Sequence, residues 1–72
     1  MGDYAVERRQ MKSKLWYSAG FTTNDLEYAK REAIDFCESG IYAAARVVDA
    51  WNRSKTIVEY RPTKKGVKTH AC

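Results

Sequence analysis

Seventy-two residues, 44% hydrophobic and 31% charged with four Gly and one Pro, describe one small folded domain, not a disordered, collagen-like or membrane-spanning chain. No apolar run approaches the ~18 residues of a membrane helix, and the first ten residues carry four charges where a secretory leader would be apolar. Two cysteines, Cys37 and Cys72, and a single histidine exclude a disulfide scaffold and a four-ligand zinc site, so the expectation is no metal, no cofactor and a reducing, cytoplasmic setting.

Along the chain, residues 1–11 are polar and lack a sustained period of 2, which predicts a mobile arm. Lys12 to Ala19 alternates Leu15, Tyr17 and Ala19 against Lys14, Trp16 and Ser18, which predicts a strand stopped by Gly20. Thr22-Thr23-Asn24-Asp25 is a helix start, with a Thr hydroxyl to cap it and acidic residues at the positive end of the dipole. Leu26, Ala29, Ala33, Phe36 and Cys37 then form one apolar stripe, and Gly40 is placed to end the helix in a left-handed conformation.

Ile41 to Trp51 predicts a second strand whose apolar face is Ile41, Ala43, Ala45, Val47 and Trp51. Asn52-Arg53-Ser54 reads as a turn, Lys55 to Arg61 as a third strand, and Pro62 as its end, because proline cannot donate to a ladder. The fold class expected is α+β: residues 12–62 as a β-α-β-β domain, with a three-stranded, mostly antiparallel sheet and one helix packed on one face. The crossover through the helix would make one strand pair parallel. Residues 63–72 read as a flexible basic tail.

A single helix covers one side of a sheet. The other side would display Trp16, Arg46, Val48, Ile57 and Arg61, a basic and apolar surface of the kind that contacts partners or a second copy in a homodimer. Charge is segregated along the chain. Residues 1–21 carry four bases against two acids, 22–40 two against five, and 41–72 seven against two.

No constellation of acid, base and nucleophile emerges. His70 lies in the expected tail, the helix carboxylates face solvent with Glu27 and Arg31 spaced to pair, and no Gly-rich phosphate loop is present. The expectation is a protein that is not an enzyme, with no catalytic residues. Cys37 reads as a small buried hydrophobe.

Three functions fit. The first is a protein-binding module that uses Trp16, Arg46 and Arg61, types frequent among interface anchors. In size and layout such a chain resembles the small accessory proteins with which phages and mobile elements block host RNA polymerase or CRISPR complexes. That resemblance implies an inhibitor that occupies a macromolecular complex. The second is a small basic nucleic-acid-binding protein using Arg61, Lys64, Lys65 and Lys68 for phosphates and Trp16 or Trp51 for bases. The third is a structural subunit of a larger assembly. None of the three requires a membrane.

Overall fold

The computed structural model describes residues 2–63 and 66–71. Its first element overturns an expectation. The stretch read as a mobile arm is strand β1, Tyr4–Gln10, and it lies inside the sheet, between β2 and β3. Ala5 and Val6 are fully buried. Period 2 is hard to see here because Glu7, Arg8 and Arg9 occupy both faces, and each is satisfied within the fold. Glu7 pairs with Arg46 and Arg53, Arg8 donates to the Tyr42 hydroxyl and the Ser18 carbonyl, and Arg9 donates to the Ser13 carbonyl.

Strand β2 is Tyr17–Thr23, shifted from the expected Lys12–Ala19. Residues 11–16 make the connection, with Lys12 at φ 65°. Gly20 does not end the strand. It sits within it at φ 91°, where the β1–β2 register slips between Ala5–Thr22 and Glu7–Ser18. A left-handed glycine permits such a bulge without a Cβ penalty.

Helix α1, Leu26–Glu38, appears where the apolar stripe placed it. Its cap is Asp25 instead of a Thr: the Asp25 carboxylate accepts from the Tyr28 N–H at 3.1 Å, while the Thr23 hydroxyl accepts from the Asp25 N–H at 3.1 Å. Gly40, at φ 83°, follows the C-terminal cap Ser39, as expected of a left-handed stop. Glu27 pairs with Lys30 at 3.4 Å, not with Arg31.

Strand β3 is Tyr42–Asp49 and strand β4 is Asn52–Thr63. The turn between them is Ala50–Trp51, since Asp49 already pairs with Asn52, and the Asp49 carboxylate accepts from the Trp51 N–H at 2.8 Å. Pro62 lies inside β4, opposite Val67. Pairing to β3 has ended by then, at Tyr60–Ala45, so the proline meets a neighbouring strand on one side only and takes no donor from the β3 ladder. The expected tail supplies strand β5, Gly66–Ala71. Lys64 and Lys65 lie outside the described residues.

The protein is therefore α+β, and among the described residues it has one helix and a sheet of five strands in the order β2-β1-β3-β4-β5, every pair antiparallel. The element order is β-β-α-β-β-β, not β-α-β-β. Inserting β1 between β2 and β3 is what removes the parallel pair expected of the crossover. No described helix is long and apolar enough to cross a membrane.

Alternation along β1, β3 and β4 places Val6, Ala45, Val47, Val58 and Tyr60 against Ala29, Ala33 and Cys37 of α1. The alanines let helix and sheet approach closely. The largest fully buried side chains are Val6, Val47, Val48 and Cys37, each contributing on the order of 1.5–3 kcal/mol at most. A core without a fully buried Leu, Phe or Trp gives a small domain little reserve. Two members of the expected apolar face are outside it: Ile41 and Trp51 lie beyond the ends of β3 and are 63% and 79% exposed.

Candidate functional site: a basic cleft on the helix-free sheet face

Side chains that alternate away from the helix, Glu7 and Arg9 of β1, Arg46 of β3, and Glu59 and Arg61 of β4, share the second face of the sheet. This face is not bare. Val48, expected to be displayed there, is fully buried, and Trp16 folds across the face from the β1–β2 connection. Its ring centroid is 4.1 Å from the Arg46 guanidinium carbon and 5.6 Å from that of Arg9. Such stacking stabilises by about 0.5–2 kcal/mol, more as water is excluded.

Beneath the stack is a charge that the sequence did not single out. Glu7 is only 7% exposed. One of its oxygens accepts from Arg46 Nη2 at 2.7 Å and from Nε at 2.8 Å, and the other meets Arg53 Nη1 at 3.4 Å. Both Arg46 donors meet the same Glu7 oxygen, so the guanidinium edge is tied at two points by one acceptor. Glu7, Arg46 and Trp16 thus form a three-tier stack across β1, β3 and the β1–β2 connection.

Around that stack lies an open cleft of about 320 Å³ lined by Arg9, Lys14, Trp16, Arg46, Glu59 and Arg61. The residues proposed from the sequence as partner contacts, Trp16, Arg46 and Arg61, all line it. Arg61 is tied to Glu59 at 2.8 Å, and Arg46 to Glu7. Arg9 and Lys14 have no carboxylate partner among the described residues, so the cleft carries four bases against Glu59 at its wall and Glu7 beneath it. It is positively charged.

Of the residues expected to bind nucleic acid, Trp51 and Arg61 are not brought together. Trp51 is in the β3–β4 turn, at the opposite end of the strands from Arg61. Lys64 and Lys65 fall outside the described residues, as does the side chain of Lys68. Sequence reasoning missed Glu7, Arg9, Lys14 and Arg53. The signal for the first two was present: Ala5, Glu7 and Arg9 alternate with Tyr4, Val6 and Arg8, and only the charges hid the strand.

Elsewhere, chemistry is sparse. Cys37 is buried and free. Burial pushes its thiol pKa up, as it does the Tyr60 phenol, and the thiol donates to the Tyr60 carbonyl at 3.4 Å. A second cleft, about 430 Å³, runs between α1 and Tyr60 with Glu27, Asp35 and Glu38 set against Lys30 and Arg31. Among the described residues no group of three His, Cys, Asp or Glu could hold a metal ion. No protein-family model, no curated protein and no solved structure matches the chain.

Proposed function

We propose that this chain is a non-enzymatic binding module that uses its helix-free sheet face to occupy an acidic surface of a protein partner, acting as an inhibitor of a macromolecular complex. The observation that carries the reading is the convergence of Trp16, Arg46 and Arg61 on one basic cleft together with Arg9 and Lys14. Arg46 is already held by Glu7, so little side-chain freedom is left for binding to remove. Trp and Arg are the types that anchor interfaces, and cations without a carboxylate partner speed encounter with an acidic surface.

A second reading, single-stranded nucleic acid, is favoured by the same Arg9 and Lys14 beside an aromatic ring, as phosphate contacts flanking a stacking platform. One experiment separates the two. Tagged protein is captured from lysate with and without nuclease and at raised salt, as wild type, Trp16→Ala and Arg61→Glu. A stoichiometric protein that survives nuclease and is lost with either variant supports the first reading. Capture that requires nucleic acid and falls steeply with salt supports the second and ends the first. Arg46→Glu is the wrong variant, because it would bury a second carboxylate beside Glu7.

A further inference from the structure

The two ends of the strands differ in charge, and both carry large exposed apolar side chains. At one end Gln10 pairs with Tyr42 and Arg8 with Tyr17, which gathers Met11, Leu15 and Ile41 there, 53%, 62% and 63% exposed. Lys12 and Lys14, both exposed, lie between Met11 and Leu15, and the helix brings Glu38 to that end. At the other end Tyr4 pairs with both Thr23 and Asp49, and the Ala50 N–H donates to the Asp3 carbonyl at 3.1 Å. That end carries Asp3, Asp25, Glu27 and Asp49, with Trp51 and Tyr28 exposed. Glu27 there is paired with Lys30; the other cations of that end are Lys55 and Arg53, and Arg53 is engaged by Glu7.

We infer that copies of this chain associate head to tail, the basic apolar end around Leu15 and Ile41 seating on the acidic aromatic end around Trp51 of the next copy. Charge complementarity selects this arrangement. Two like ends would set Lys12 and Lys14 against their own copies, or Asp3, Asp25 and Asp49 against theirs, whereas unlike ends bury apolar surface and attract. Such an interface is heterologous, so it repeats along an open chain or closes into a ring, and it does not stop at a symmetric pair.

The molecule measures 36 × 22 × 21 Å. A twelve-residue β4 at ~3.3 Å per residue sets its long direction. Each end face is then roughly 460 Å², or about 900 Å² for two copies, below the ~1,200 Å² of stable complexes. Association is accordingly weak and concentration-dependent. This inference shares Lys14 with the cleft but uses no residue that lines the cleft as a test.

The test is sedimentation velocity over a wide concentration range on the wild type, a head variant (Leu15→Ser with Ile41→Ser) and a tail variant (Tyr28→Ser with Trp51→Ser). All four positions are exposed, and circular dichroism checks that each variant is folded. The wild type should grow beyond a dimer as concentration rises, and each variant alone should weaken association by roughly tenfold or more. An equimolar mixture of the two variants should form dimers and stop there, because one intact head meets one intact tail. A wild type that stays monomeric at every concentration overturns the inference. So does either variant that associates on its own as the wild type does, or a mixture of folded variants that fails to pair.

Discussion

Replacing Glu7 by Gln removes the charge that holds Arg46 and Arg53 while keeping size and one acceptor oxygen. Removing one partner of a fully buried ion pair costs about 3–5 kcal/mol. Here the side chain of Glu7 is 9% exposed, but those of Arg46 and Arg53 are 21% and 45% exposed, so water takes over part of the guanidinium solvation. About 2 kcal/mol remains. A chain of this length has on the order of 4–11 kcal/mol in total, and each kcal/mol moves Tm by about 4–8 °C in so small a domain. The expected fall is therefore about 10 °C, measured by circular dichroism.

Arg61→Ala is the control. Its pair with Glu59 is half exposed on the arginine side, and loss of such a pair costs under about 1 kcal/mol. In a Trp51→Phe background, Trp16 fluorescence should also change in Glu7→Gln, because Arg46 is no longer fixed beneath the ring. If Glu7→Gln and Arg61→Ala melt within a degree or two of each other, Glu7 is solvated and the three-tier stack does not organise this face.

Ala33, fully buried between helix and sheet, has no room for a larger side chain; Ala33→Leu should destabilise by about 1–3 kcal/mol in a urea titration. Gly40 has open space around an added Cβ, so Gly40→Ala should cost only the left-handed backbone term, about 1–2 kcal/mol, seen as a shifted midpoint with an unchanged slope. Burial raises the Cys37 and Tyr60 pKa values, so the unfolded chain loses these protons at lower pH than the folded one. Their contribution to stability is complete below the ordinary thiol range, about pH 8.5, and declines as pH rises through the raised folded values. Tm should fall on the alkaline side, and Cys37→Ala should remove the first part of that slope. A pH-independent Tm in this range would refute the burial of both groups.

The helix could be read from the sequence nearly to the residue, because its apolar stripe, its acidic start and its glycine stop are all local. β1 and β5 could not. Tyr4–Gln10 carries three consecutive charges, and a charged run reads as solvated until its partners are known; those of Glu7 lie 39 and 46 residues away, at Arg46 and Arg53. Pro62 signals a strand end in any local reading, and it does end the pairing with β3, which stops at Tyr60, while β4 runs on against β5. Gly20 likewise signals a stop and instead makes a bulge.

The candidate site divides in the same way. Alternation alone put Arg46 and Arg61 on one face opposite the helix, and that placement survives in the fold. Trp16 reached the same face by another route, from a connection and not from a strand. Arg9, Lys14 and Glu7 belong to segments whose pairing the sequence does not reveal.

What the sequence determines by itself is what depends on neighbours within a turn or two: one amphipathic helix, its caps, an α+β composition and the positive charge. The tertiary structure alone decides strand order, which charged residues are neutralised and where the remaining cations gather. The reason is that a hydrogen-bond ladder or an ion pair between strands is a contact between distant residues, and its energy leaves no periodicity in the chain to be read.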